Sequence, residues 1–270
     1  MTMLVDTHAH LNFEAFDDDR DQVIERCENQ GMKIINVGAQ FETSRLAVEL
    51  AEDYNILFAA IGLHPIHVFD EDFHFHDYQN LLSGKVVAVG ETGLDYYHPT
   101  FKRAGAETRS VQEVIAKQRE VFIEHINFAK ECDLPLICHG RNGLADKNAY
   151  QDILETLLEY KVQRAVIHCY GGNLQTAWRI IDSGYYIGID GPVTFIKKAE
   201  QLQAIAQEIP LEKILIETDC PYLAPEPFRG KRNEPIYVEH VAEKIAKLKN
   251  ISKEEVIEHT WQNAKDLFRL

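Results

Sequence analysis

The sequence lacks the features that divide a chain into domains or place it in a membrane. No Gly/Ser-rich or Pro-rich linker interrupts its 270 residues, and this length is normal for one α/β barrel, so we predict a single domain over residues 1–270. No apolar run approaches the roughly 20 residues that a membrane-spanning helix needs. The first residues lead directly into a strand, without a basic region or a cleavage site, which predicts a cytoplasmic protein.

Cysteine is sparse and scattered. The five cysteines form no CxxC pair, which argues against a disulfide framework and against a zinc knuckle. Three of them, Cys138, Cys169 and Cys220, adjoin polar residues that we assign to a site below. Because side chains alternate along a strand, we expect these thiols to point away from that site and to be small buried hydrophobic residues.

Positive charge is scarce as well. Lys and Arg number 28 against 43 Asp and Glu, which gives a formal net charge of −15 and disfavours a protein that coats long nucleic acid. An enzyme that acts on one end of a strand remains compatible with this charge, because bound dications reverse the local field. No recognition helix, zinc finger or RNA-binding aromatic motif is present, so sequence-specific DNA binding is not expected.

What the sequence does contain is an alternation of short β-branched runs with segments of helical period. One such segment runs from Val111 to Ala129, and Pro235 suits the first turn of a helix that ends near Leu248. Eight strand-like runs over this length predict a (β/α)8 TIM barrel, with a doubly wound α/β sheet as the alternative. The eight runs are Leu4–Thr7, Ile34–Val37, Ile56–Ile61, Val86–Val89, Leu134–Cys138, Ala165–Ile167, Tyr185–Ile189 and Ile214–Glu217.

Two histidines end the first run. His8 and His10 are two residues apart, so in a strand they lie on the same face and can offer two imidazole nitrogens to one metal ion. The motif alone is weak, because the chain has a second pair of this spacing, His74 and His76, in a polar stretch. We interpret that second pair as surface histidines.

Further residues of metal-ligating type end later runs, namely Glu91, His139, His168 and Asp219. The carboxyl ends of barrel strands converge on the face that carries catalysis, so these four side chains and the two histidines are expected to meet there. Four imidazoles and two carboxylates exceed one tetrahedral site, which indicates two ions bridged by a carboxylate such as Glu91. We then expect a metal-bound hydroxide as the nucleophile and Asp219 as its general base.

At these residues the chain resembles the TatD-like metal-dependent deoxyribonucleases of the amidohydrolase superfamily, and the likeness runs from end to end. The most specific part is the long stretch around and after Asp219. The matching segments are Asp6–Leu11, Gly62–Pro65, Gly90–Tyr97, His139–Arg141, His168–Cys169, Thr218–Pro225 and Arg229–Pro235.

The resemblance implies divalent-metal-dependent hydrolysis of DNA phosphodiester bonds, typically from the 3′ end, and we expect a preference for single-stranded ends. It implies two divalent metal ions, with Mg²⁺ most suited to function and Mn²⁺ or Zn²⁺ as alternatives. DNA ends, without sequence specificity, are then the expected partner, and a monomer is the default state.

The resemblance also assigns residues. The first metal site comprises His8, His10, Glu91 and Asp219, and the second comprises Glu91, His139 and His168. His64, in the Gly62–Pro65 turn, is implied to contact the substrate phosphate. The candidate phosphate ligands beside it are Arg141, Arg229, Lys231 and Arg232, and solvated loop charges are the alternative interpretation of all of them.

Some segments depart from the family pattern or stay open. The run after His168 differs, which leaves substrate contacts there undecided. The segment His98–Ser110 is longer than the family usually carries and could form a lid, a partner surface or an ordinary solvated loop. Tyr96 and Tyr97 could stack on an unpaired base or pack in the core beneath that loop.

Two other functions remain open at this stage. One is an amide, ester or lactone hydrolase of the same superfamily, acting on a small molecule or on an aminoacyl end of tRNA. Against it, Glu91 stands where many such relatives have a carbamate-modified lysine, and the basic residues after Asp219 suit a phosphate. The other is a catalytically idle metal-binding or partner-binding protein in a defence or repair assembly.

Overall fold

Eight parallel strands form one sheet in the order β1 to β8, each paired with the next along the chain. The computed structural model describes residues 3–97, 110–144 and 147–270, so residues 98–109 of the long segment considered above lie outside the described residues. The strands are β1 Val5–Ala9, β2 Lys33–Val37, β3 Leu57–Ile61, β4 Val86–Asp95, β5 Leu136–Arg141, β6 Ala165–Ile167, β7 Tyr186–Ile189 and β8 Ile214–Ile216. The predicted (β/α)8 TIM barrel is confirmed.

The helices alternate with these strands. They are α1 Arg20–Asn29, α2 Phe41–Asp53, α3 Phe75–Gln79, α4 Val111–Glu131, α5 Ala149–Glu159, α6 Leu174–Asp182, α7 Glu200–Glu208, α8 Val238–Lys249 and α9 Lys253–Phe268. Pro235 begins a short 3-10 turn, Pro235–Tyr237, that leads into α8. Across the described ranges, no helix combines the length and the apolar character needed to cross a membrane.

Helix α4 shows why these segments fold as they do. Its first turn is fixed by a capping box, in which the Ser110 side chain accepts from the Glu113 backbone N–H and the Glu113 side chain accepts in return. The apolar stripe of the helix is buried against the barrel, with Val114, Phe122 and Ile126 fully inaccessible to solvent. Both His74 and His76, in the polar stretch before and within α3, are exposed, as expected of surface histidines.

Strand β4 continues to Asp95, well past the predicted end at Val89. Gly90 and Gly93 look like strand breakers in the sequence, but each allows a close approach of β5. A Cβ atom at Gly90 would lie 2.6 Å from the Ile137 carbonyl oxygen, and one at Gly93 would lie 2.2 Å from the His139 carbonyl oxygen. Glu91 therefore lies inside the strand rather than at its end, and Asp95 occupies the end.

The first and last strands are joined by both side-chain and backbone hydrogen bonds. Both carboxylate oxygens of buried Asp6 bind Thr218: Oδ1 accepts from its backbone N–H at 3.0 Å, and Oδ2 accepts from its hydroxyl at 2.6 Å. The Thr7 hydroxyl donates to the Ile216 carbonyl, and the Asp219 N–H donates to the His8 carbonyl at 2.9 Å. These bonds close the barrel next to His8 and Asp219.

Candidate metal centre

Strand register and the closed barrel bring the six predicted metal ligands together at the carboxyl ends of β1, β4, β5, β6 and β8. Most of them line one cavity of about 720 Å³, and buried His8 lies behind its wall. The apolar residues that precede them on each strand form a core cluster with the C-terminal helix α9, through Ala264, Leu267 and Phe268. The site therefore stands on a packed layer rather than on flexible loops.

The first donor group consists of His8 Nε2, His10 Nε2, Glu91 Oε2 and Asp219 Oδ1. The two imidazole nitrogens are 3.2 Å apart. Glu91 Oε2 lies 3.4 and 3.8 Å from the His8 and His10 nitrogens, and Asp219 Oδ1 lies 3.8 and 3.3 Å from them. Ligands that bind one divalent ion at about 2.0–2.2 Å lie roughly 3.0–3.6 Å from each other. Three of the five spacings fall within this range, and the two of 3.8 Å lie just above it.

The second donor group consists of Glu91 Oε1, His139 Nδ1 and His168 Nε2. Glu91 Oε1 is 2.9 Å from the His139 nitrogen and 2.7 Å from the His168 nitrogen, which are themselves 3.4 Å apart. Glu91 thus presents Oε2 to one group and Oε1 to the other. This carboxylate is the only residue that the two groups share.

The electrostatics of the carboxylates also fit bound cations. Burial alone would raise the pKa of Glu91, but the nearby imidazoles of His168 and His64 and the hydrogen bonds of His139 and His168 hold it well below its usual range. The same balance, with a hydrogen bond from His10, lowers the pKa of Asp219. Within the described residues neither carboxylate forms an ion pair with Lys or Arg, so their charge is compensated by protonated imidazoles or by a bound metal.

Hydrogen-bond partners behind two of the four imidazoles, those of His10 and His139, orient the rings. His10 Nδ1 donates to the Val37 carbonyl at 2.8 Å, and His139 Nε2 lies 3.0 Å from Asp95 Oδ2. His168 Nδ1 lies 3.6 Å from Glu217 Oε1, just beyond hydrogen-bond distance. His8 Nδ1 is buried without a hydrogen-bond partner among the described residues. Such outer partners fix the tautomer of a metal-binding imidazole and raise its basicity.

The pKa values of the four imidazoles follow from these neighbours. Burial lowers the pKa of His8. For His10, His139 and His168 burial acts in the same direction, but adjacent carboxylates outweigh it and raise the pKa, most strongly for His168 beside Glu91 and Glu217. The histidines that face most negative charge are therefore those most able to hold a proton when no metal is bound.

His64 lies beside the second donor group, with Nε2 3.3 Å from Glu91 Oε1. The Ile66 backbone N–H donates to His64 Nδ1 at 3.1 Å, so the ring proton resides on Nε2. Burial lowers the pKa of His64 to about 4, which keeps the ring neutral. His64, Glu91 and His139 are close enough to ligate an ion together, but in this tautomer His64 is a hydrogen-bond donor and not a metal ligand.

Two polar residues of α4 hold the turn that carries His64. His125 Nε2 accepts from the Leu63 N–H at 2.9 Å, and Gln118 bridges the turn to β4 by donating to the Pro65 carbonyl and accepting from the Asp95 N–H. Both interrupt the apolar stripe of α4. That interruption was visible in the sequence, although its partners were not.

The predicted phosphate ligands divide into two sets. Arg141 lines the cavity, and its guanidinium lies 4.0 Å above the Tyr97 ring. Arg229 and Lys231 are not among the residues that line the cavity; Arg229 lies over the Phe195 ring and 4.0 Å from Glu226, and Lys231 lies over Phe228.

Two expectations beside the site need correction. The Cys169 thiol does not point away, because Cys169 adopts a φ of 44° that breaks strand alternation; it lines the cavity and donates to Asp190 Oδ2 at 3.2 Å. Arg232 is held away from a phosphate by a two-pronged ion pair with Asp19.

Tyr96 is buried and donates to Asp152, so core packing is confirmed for it, whereas Tyr97 is exposed.

Sequence reasoning missed the carboxylates behind the ligands. Asp95 and Glu217 contact or approach His139 and His168, and Asp6 binds Thr218 at the closure of the barrel. Asp6 lies two residues before His8, and Glu217 lies two residues before Asp219. Asp95 lies four residues after Glu91. The alternation that paired His8 with His10 could have identified all three.

Comparison with known proteins agrees with this geometry. A family model described as TatD related DNase matches residues 5–269. The chain is 41% identical over 273 residues to a protein of Bacillus subtilis (strain 168) described as the uncharacterized metal-dependent hydrolase YabD, covering 99% of this chain and 100% of that protein. It is 36% identical over 275 residues to a protein of Escherichia coli (strain K12) described as the uncharacterized metal-dependent hydrolase YcfH, covering 99% and 96%.

Solved structures show the same similarity. The crystal structure of YJJV, a TatD homolog from Escherichia coli K12, superposes with a TM-score of 0.86 at 29% sequence identity and covers 99% of this chain and 98% of that one. A TatD family hydrolase from Entamoeba histolytica, at 22% identity and a TM-score of 0.81, shares the fold.

Proposed function

Because this chain belongs to the TatD-related DNase family and is a metal-dependent hydrolase, we propose that it hydrolyses DNA phosphodiester bonds, trimming single-stranded 3′ ends without sequence specificity. The observation that carries the proposal is the position of Glu91, which turns one oxygen to each of two donor groups. The 3′ direction rests on the resemblance of the motifs.

The residues suit two divalent ions, Mg²⁺ in function with Mn²⁺ or Zn²⁺ as substitutes. His8, His10, Glu91 and Asp219 would hold one, and Glu91, His139 and His168 the other. Ions held there would neutralise charge on a scissile phosphate and activate a water molecule. Donor groups that share one carboxylate suit a phosphodiester, because its two non-bridging oxygens need compensation at neighbouring points.

The side chains around the donor groups would orient substrate and move protons. Asp219 is ionised at neutral pH, since its pKa is lowered, and its Oδ2 is the atom that we expect to take the proton of the attacking water. His64, neutral and protonated at Nε2, would donate to a phosphate oxygen. Arg141, at the cavity wall, would hold the same or the next phosphate through its guanidinium.

The test uses single-stranded DNA labelled at its 5′ end, incubated with purified protein and Mg²⁺ or Mn²⁺. We expect a ladder of progressively shorter labelled products, no products with a chelator, and none with Glu91→Ala. The matched control is His76→Ala, which removes an imidazole from the exposed pair of the same spacing and leaves activity intact. Circular dichroism confirms that both variants are folded.

The same preparation is tested on esters, amides and lactones, which the alternative function would require. The nuclease proposal would be overturned in favour of that alternative by two results together. The DNA would remain uncut, and the protein would hydrolyse an ester or a lactone in a reaction that Glu91→Ala abolishes. Release of the labelled terminal nucleotide as the first product would overturn the 3′ direction alone. Gel filtration tests whether the active species is a monomer that needs no protein partner.

A further inference from the structure

Exposed apolar surface gathers at the mouth of the cavity. Six large hydrophobic residues are exposed in the described part of the chain, and two of them, Tyr222 and Leu223, line the cavity. A third, Tyr97, supports the Arg141 guanidinium, which also lines it. Exposed apolar surface at the mouth of a cavity that also contains the two donor groups indicates a contact for an apolar part of a ligand.

The backbone of Tyr222 is rigidly held. Its N–H donates to the Asp219 carbonyl at 2.9 Å, and its carbonyl accepts from the side chain of fully buried Asn233 at 2.7 Å. The same Asn233 amide group also binds the Thr218 carbonyl, so the backbone of Tyr222 is anchored to the end of β8. The segment that carries the ring is therefore already ordered, and a ligand that covers the ring does not have to order that backbone.

The ring of Tyr222, in contrast to its backbone, is open. Its side chain is 54% exposed and forms no hydrogen bond or ring contact with any residue that the structure describes. Tyr222 lines the same cavity as Asp219 and Glu91. An aromatic face is thus offered directly beside the proposed reaction centre.

Arg141 adds a positive charge to this mouth. In a chain of net charge −15, it makes no ion pair with a carboxylate among the described residues, whereas Arg232 is paired with Asp19. Its guanidinium carbon lies 4.0 Å from the centroid of the Tyr97 ring. An aromatic face and a guanidinium on the walls of one cavity match a ligand that joins a planar base to a phosphate.

Resting on the function proposed above, we infer that Tyr222, with Leu223 beside it, forms a stacking subsite for the unpaired base next to the scissile phosphate, while Arg141 binds a phosphate of the same strand. A base in a duplex is already stacked and paired, so it would have to leave the helix to reach Tyr222. The subsite therefore provides a physical reason for a single-strand preference. Stacking tolerates every base, which agrees with a lack of sequence specificity.

The first experiment compares two single-stranded substrates that differ only in whether the 3′-terminal nucleotides carry bases or abasic tetrahydrofuran residues. For Tyr222→Ala we expect KM to rise roughly 5- to 100-fold on the substrate with bases, and to stay unchanged on the abasic one. Tyr222→Phe, which keeps the ring, should behave as wild type on both. Trp178→Ala removes an exposed aromatic residue outside the cavity and should also behave as wild type.

The second experiment does not depend on turnover. A nuclease-resistant phosphorothioate strand with 2-aminopurine at its 3′ end is titrated with wild-type protein, and stacking on the ring quenches its fluorescence. We expect quenching with wild type and Tyr222→Phe, and none with Tyr222→Ala. If no DNA is cleaved but this quenching pattern holds, the proposed function fails while the base subsite stands.

Other results would overturn the subsite itself. Equal losses with Tyr222→Ala on normal and abasic strands would indicate a general structural effect. A loss with Tyr222→Phe equal to that with Tyr222→Ala would assign the contact to the hydroxyl instead of the ring. Wild-type cleavage of abasic ends as efficiently as normal ends would show that no base is bound there.

Discussion

The two donor groups that share Glu91 differ in what lies behind their imidazoles. In the first group His10 is backed by the neutral carbonyl of Val37, and His8 Nδ1 has no hydrogen-bond partner in the part of the chain that the structure describes. In the second group His139 is backed by the carboxylate of Asp95, and His168 faces that of Glu217. Neighbouring groups of similar side chains in one cavity can therefore differ in basicity, because the protein sets the charge behind each ring.

The largest expected effect comes from removing a carboxylate that only the first group uses. We expect Asp219→Asn to lower DNA hydrolysis by roughly 10²- to 10⁴-fold, since it removes both a metal ligand and the proposed general base. Mn²⁺ titration by calorimetry should show the loss of one bound ion and retention of the other. If both ions were lost, the two groups would not be separate sites and the comparison would break.

A smaller effect is expected from the carboxylate behind the second group. Glu217→Gln replaces an ionised group near His168 with a neutral amide of the same size, and we expect Mn²⁺ affinity at the second group to fall about 10- to 100-fold. Affinity at the first group should stay within about twofold. Equal weakening of both ions would show that Glu217 supports the barrel as a whole rather than His168.

Lowering the pH should also weaken metal binding at the second donor group before it weakens binding at the first. The pKa of His8 is lowered, whereas those of His139 and His168 are both raised, so a metal entering the second group must displace more protons. His10, whose pKa is also raised, gives the first group one such ring against two. As the pH falls from about 8 to about 6, Mn²⁺ stoichiometry should drop from two to one through loss of the second-group ion. The Glu217→Gln variant identifies which ion leaves; loss of the first-group ion at higher pH would contradict the expectation.

The smallest effect concerns which side of the cavity holds the substrate. Arg141 follows His139 of the second group and lines the cavity, whereas Lys231 follows the first group's strand and does not. We expect Arg141→Ala to raise KM for single-stranded DNA about 10-fold, and Lys231→Ala about twofold, with kcat little changed in both. A larger effect of Lys231→Ala would place the phosphate on the β8 side and reverse this assignment.

The repeating strand pattern predicted the barrel, and the placement of six chemically similar residues predicted which side chains would meet. The ends of the strands were harder to predict from the sequence. The extension of β4 through Gly90 and Gly93, for example, depends on how closely β5 approaches it. The orienting carboxylates Asp95 and Glu217 shared the strand period of the ligands and could have been found from it.

The partners of loop residues could not be predicted in this way. Arg232 belongs to a basic motif, yet it forms an ion pair with Asp19, which lies more than two hundred residues earlier in the chain. Cys169 departs from alternation because its backbone turns left-handed just after β6. The periodicity of a sequence predicts which side chains share a face of one strand or helix. It does not predict which loops lie next to each other in the fold.

The barrel is closed by bonds between Asp6, near the start of the chain, and Thr218, far along it. It can therefore close only late in translation. His8 and His10 leave the ribosome first, but Asp219 and the residues that fasten β1 to β8 emerge some two hundred residues later. A nascent chain that has not yet released them holds only part of the first donor group. Hydrolytic competence is thereby withheld until synthesis is nearly finished, and an incomplete chain stalled on its messenger would bear the histidines without the completed pocket.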